Sequence, residues 1–225
     1  MKVSLAIQIF KSSGSKFIQD FRTISFILFF PSLILITTGY LTTPLTQSIY
    51  VAVILRAIAL TFVGVATIRL AVIGREPLLK LAVLILGVRG LRFLIFVVVL
   101  FLVFLVFKGL IDLSTELLVI FQGWESALTL LFSIFVLSRF LLVFPAAVLD
   151  KEITLWRSFR MTRAHYLSVF LIGISIVFAC LLPIVIELSF PSVRVGIISE
   201  ALGLYSFSYA CINVSYLYMA ITSKY

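Results

Sequence analysis

With 63% hydrophobic and 12% charged side chains over 225 residues, the chain is far more apolar than the roughly 45–50% of a soluble domain. That composition excludes a water-soluble globular fold and marks an integral membrane protein. Its net charge of +9 would point to nucleic acid in a soluble protein, but in a membrane protein basic residues record topology, and no nucleic-acid partner is expected.

Taken in chain order, the first segment is a long amphipathic leader carrying Lys2, Lys11, Lys16 and Arg22. A bilayer core takes about 20 mostly apolar residues per helix. Six stretches meet or approach that length, near 24–40, 49–73, 91–111, 124–148, 167–190 and 197–221. The expected fold class is therefore all-α integral membrane, a single polytopic domain over 1–225. The first stretch is not read as a cleaved signal peptide, because its apolar part starts only after Arg22 and no small-x-small site follows.

Lysine and arginine bias in the short loops sets the orientation. The leader, the 2–3 connection with Arg75, Lys80, Arg89 and Arg92, the 4–5 connection with Lys151, Arg157, Arg160 and Arg163, and the final Lys224 all fall on one side. The opposite side receives the uncharged "LTTPLTQS", a loop holding Lys108 with Asp112, Glu116 and Glu125, and a loop holding Arg194. Six spans with both termini in the cytoplasm follow.

Two connections read as interfacial helices. Residues 77–88, "PLLKLAVLILGV", are apolar but only about 18 Å long as a helix, short for a span. Residues 151–166 place Leu155, Phe159, Thr162 and Tyr166 on one helical face, with Trp156 at its edge and Arg157, Arg160 and Arg163 on another side. That pattern expects an amphipathic helix on the cytoplasmic surface, its apolar face toward lipid or the bundle and its arginines toward anionic lipid headgroups. The two connections share a layout: Arg75 aligns with Lys151, Glu76 with Glu152 and Leu91 with Leu167. A weak internal repeat is expected from this.

Three arginines fall inside spans, where a charge is unfavourable by about 2.5–3.5 kcal/mol on insertion scales. Arg69, at the cytoplasmic end of the second span, is expected to reach the headgroups. Arg56 is expected to tilt toward the outer surface, with Glu187 or Glu200 as an ion-pair partner. Arg139, about fifteen residues into the fourth span, is expected to face the bundle and bond Asn213, near Tyr205, Tyr209 or Tyr216. Pro31, Pro145 and Pro183 permit kinks, and Gly64, Gly173 and Gly203 permit close helix contact. Cys180 and Cys211 sit in apolar runs with no CxxC spacing, so they read as packing residues, neither disulfide nor metal ligands.

The order Arg139, Pro145, Asp150, Ser158, Thr162, with "RSFRMTRAHY" in the surface helix, resembles the six-helix bacterial inner-membrane proteins typified by YciC. It is also similar to the membrane domain attached to some glycerophosphodiester phosphodiesterases. The match runs over about 130–175, more loosely elsewhere. The resemblance implies a helical membrane module and brings no catalytic residue, the soluble phosphodiesterase domain having no counterpart in these residues.

The search for chemistry returns little. His165 is the only histidine and has no nucleophile or carboxylate partner in sequence, and GxSxG, P-loop and metal motifs are missing. No cofactor, no metal and no catalytic residue is expected, and the chain is not read as an enzyme. The expected function is a non-catalytic accessory or scaffold module of the bacterial inner membrane. Anionic lipids at its cytoplasmic face and a membrane-protein partner are the interaction classes. The alternative is a small transporter or lipid-handling protein using Arg139, Asn213 and the Arg157, Arg160 and Arg163 ribbon.

Overall fold

A computed structural model describes residues 2–41, 46–77, 87–99, 102, 106, 134–135, 138–149, 151, 154–189 and 193–223. Helices dominate, and there is no strand among the described residues. They are α1 (Lys2–Gln19), α2 (Phe21–Leu41), α3 (Thr46–Val72), α4 (88–99), α5 (Val143–Val148), α6 (Leu155–Thr162), α7 (Tyr166–Ser189) and α8 (Val193–Thr222). The all-α class expected from composition is what forms.

Among the described residues one helical path, Leu155–Phe178, is long and apolar enough to cross a membrane. The pair Ser4–Gln19 and Phe21–Ile34 meets the same measure as a unit bent by 70°, and Ala57–Val72 is a shorter apolar helix. The expected interfacial helix at 77–88 falls almost wholly outside the described residues, as do Glu152 of the expected repeat and about half of each of the stretches near 91–111 and 124–148.

The C-terminal helix is the hub, packing against α7, α3, α1, α2 and α5. One apolar cluster joins α2 and α3 to Phe93, Val148, Leu204 and Ile212. A second brings Ile9 of the leader, Leu142, Ala146, Met161, Ile172, Leu217 and Ile221 together. The leader is thus a packed helix: Ala6, Ile9 and Ser13 are buried at the helical spacing of one face, while Ile7, Lys11, Ser12 and Ile18 face outward.

Two glycines act as notches. A Cβ at Gly64 would stand 2.5 Å from Cζ of Phe93, and one at Gly173 would stand 2.9 Å from Cβ of Ser138. These contacts seat α4 on α3 and the end of the fourth apolar stretch on α7. Cys211 packs in the first core cluster, as expected of it, while the side chain of Cys180 lies outside the described residues.

The fourth apolar stretch is not one continuous helix where it is described, which corrects the sequence reading of an unbroken span. After Ser138 the chain turns through 139–142 before α5 begins. Pro145 supplies the cause, since its ring excludes the carbonyl four residues earlier, that of Leu141. The bonds tighten accordingly: Phe144 N–H donates to Leu141 O at 3.4 Å and Val143 N–H to Phe140 O at 3.0 Å. In a regular helix Val143 N–H would donate to Arg139 O. Here that carbonyl is released.

Candidate functional site

The released carbonyl of Arg139 is where α6 docks. Ser158 Oγ donates to it at 2.8 Å and Thr162 Oγ1 lies at 3.5 Å; at i and i+4 these hydroxyls share one helix face. Thr154 opens α6 as its N-cap, its side chain accepting from Arg157 N–H at 3.2 Å. The buried face of α6 is therefore Ser158, Met161 and Thr162. Of the face expected to turn toward lipid or the bundle, Thr162 is buried here, while Phe159 and Tyr166 are 39% and 46% exposed. The docking side is made of small hydroxyl residues answering a backbone acceptor.

Outward from α6 stand Trp156, Arg157, Phe159, Arg160 and Arg163. Trp156 stacks on Phe159 with centroids 5.9 Å apart and planes 10° from parallel. Arg157 and Arg160 line a groove of about 390 Å³ with Thr154, Trp156 and Met161. A single 3-10 turn, Arg163–His165, joins α6 to α7. The path from Leu155 to Ser189 is about 50 Å at 1.5 Å per residue, against an apolar slab of about 30 Å.

Arg139 is buried, as its place in an apolar run implied, but its partners differ. Its guanidinium lies over the rings of Phe135 at 5.3 Å and Phe159 at 5.5 Å, a cation held between two aromatic faces. No hydrogen bond joins it to Asn213. Asn213 Nδ2 donates to Tyr209 O at 3.0 Å within its own helix, and among the described residues neither Arg139 Nη1 nor Asn213 Oδ1 has a partner. Tyr205 is also elsewhere, stacked on Phe21 and donating to Ser25 Oγ at 2.9 Å.

Arg69 corrects a second expectation. It does not reach outward: it is 6% exposed and forms a two-pronged pair with Glu76, Nε to Oε2 at 2.5 Å and Nη2 to Oε1 at 2.9 Å. Nη1 also donates to Val148 O at 3.3 Å, at the end of α5. The fold arranges this through Gly74, whose φ of +100° reverses the chain after α3, with Ile73 and Gly74 N–H both on Arg69 O. Next to it Asp20, at the α1–α2 bend, pairs with Lys16 at 2.8 Å and Arg75 at 3.5 Å.

The side chains of Arg56 and Glu187 lie outside the described residues, so their expected pair does too; Glu200 is half-buried. No group of three or more His, Cys, Asp or Glu residues that would hold a metal occurs among the described residues.

Replacing Ser158 by Ala leaves the buried Arg139 carbonyl with only the long Thr162 contact, an expected loss of about 1–2 kcal/mol. Thermal unfolding in detergent measures it, and unfolding at the wild-type temperature would show that the bond contributes nothing. Comparison of the chain with family models, with curated proteins and with solved structures gives no match.

Proposed function

We propose that this chain is a non-catalytic module of the bacterial inner membrane. It crosses six times with both termini in the cytoplasm, serves as an accessory or scaffold protein for a membrane-protein partner, and rests its arginine collar on anionic headgroups. The family typified by YciC, which it resembles over 130–175, is the class to which we assign it.

One observation carries the reading. The basic segments that loop bias put on one side also meet at one end of the bundle. Ile9 of the leader, Leu142, Met161 and Ile221 share one cluster, Arg69 bonds the end of α5, and Arg75 meets Asp20. The exposed pairing of Trp156 and Phe159 with Arg157 and Arg160 on α6 and Arg163 in the turn after it has the amphipathic make-up of a headgroup-level surface.

The alternative, a transporter or lipid-handling protein working through Arg139, draws less support. Arg139 is engaged in the aromatic sandwich and its carbonyl in docking α6, so a substrate contact would disturb the break that organises this end.

Trp156 reports on the proposal directly. With Trp124→Phe as background, phosphatidylglycerol brominated high on its acyl chains should quench Trp156 more strongly than equally brominated phosphatidylcholine. Equal quenching by both would remove the anionic preference, and quenching by neither would remove the collar from the interface.

A further inference from the structure

Away from α6, a cleft of about 680 Å³ opens beside the start of α2, lined by Arg22, Thr23, Ser25, Phe26, Phe29 and Arg75. A second hollow of about 190 Å³ shares Thr23, Phe26 and Arg75 with it and runs between α2 and α3 over Ile27, Ala66 and Leu70. Together they make a groove with a polar, doubly cationic mouth and an apolar floor.

The charges at the mouth are unequal in sign. Glu76, which lines the inner hollow, is committed to Arg69. Asp20 meets Arg75 only at 3.5 Å, holds Lys16 more closely at 2.8 Å, and Arg75 remains 70% exposed. Arg22 is exposed as well. On the floor, Phe26 and Phe29 are each 57% exposed, apolar surface directly below two guanidinium groups.

We infer that this groove binds one anionic glycerophospholipid, its phosphate at Arg22 and Arg75 and an acyl chain along Phe26 and Phe29. Charge complementarity selects the head, because guanidinium forks match phosphate oxygens. The adjoining apolar hollow selects a chain-bearing ligand over a free phosphate. The site rests on the membrane reading above but is separate from the α6 collar. A lipid held there sits against the Asp20 bend and the Gly74 turn, so it would brace both.

Native mass spectrometry of detergent-purified protein with equal phosphatidylglycerol and phosphatidylcholine tests it. The wild type should retain one phosphatidylglycerol. Arg22→Gln with Arg75→Gln should weaken retention roughly thirtyfold, two headgroup-level charges being lost. The Lys pair at the same positions, which keeps both charges but loses the forks, should retain the lipid better than the Gln pair and less well than the wild type. Thr23→Trp, which blocks the junction of the two hollows and leaves both charges in place, should also release the lipid; Arg157→Gln with Arg160→Gln should not. Equal retention of phosphatidylcholine, unchanged binding in both the Gln pair and Thr23→Trp, or displacement by glycerol phosphate would overturn the site. A chain that stays in solution without detergent and holds neither lipid would overturn the membrane reading with it.

Discussion

Replacing Glu76 by Leu should cost about 3–5 kcal/mol, the expected loss when one partner of a buried ion pair is removed and the other charge stays behind. Both side chains are 7% exposed, so solvent does little to screen the guanidinium that remains. The loss should appear as a large drop in unfolding temperature and in folded yield from detergent. The double change Arg69→Met with Glu76→Leu should recover most of it, because an apolar pair in the same space carries no stranded charge. Two variants of equal stability would mean that Arg69 finds its compensation elsewhere.

The second large effect concerns lipid. Exchanging Arg157, Arg160 and Arg163 for Gln should weaken association of the collar with anionic bilayers by about 3 kcal/mol, at roughly 1 kcal/mol per headgroup-level charge. That is on the order of a hundredfold. The Trp156 quenching titration against phosphatidylglycerol reads the change, which should shrink as salt is raised. Stability should move little, since these side chains face outward while Ser158, Met161 and Thr162 carry the packing. A comparable loss of stability would place the arginines in the fold instead.

What the sequence made legible follows from which rule it obeyed. Apolar run length gave the helical class, and the helical spacing of Ala6, Ile9 and Ser13 already made the leader amphipathic. Pro145 announced a weak point in the fourth apolar stretch. Its consequence was not visible, because a released carbonyl is a backbone event and the hydroxyls that donate to it, on Ser158 and Thr162, resemble ordinary surface residues in a list of letters. The docking side of α6 was hidden for the same reason: counting apolar residues singles out Phe159, whereas hydrogen-bond demand at Arg139 O seats Ser158.

Arg69 shows a different limit. Outward extension is the default for an arginine at a span's end, and only the reversal at Gly74 brings Glu76 back within reach. Glycine followed by proline after an apolar run, here Gly74 and Pro77, was an available sign that the helix stops and the chain folds back. Arg139 and Asn213 were matched by depth along straight helices, and the turn at 139–142 broke the assumption on which that match stood.

Whether the arginine-bearing segments share one side of a six-span bundle is read by cysteine accessibility in sealed vesicles, with Cys180 and Cys211 replaced. Ser12→Cys, Ala164→Cys and Ser223→Cys should react with an impermeant maleimide from the cytoplasmic face alone, and Thr43→Cys, Ser114→Cys and Ser192→Cys from the opposite face alone. Labelling of Ala164→Cys and Ser12→Cys from opposite faces, or of Ser114→Cys from the cytoplasmic face, would contradict that arrangement.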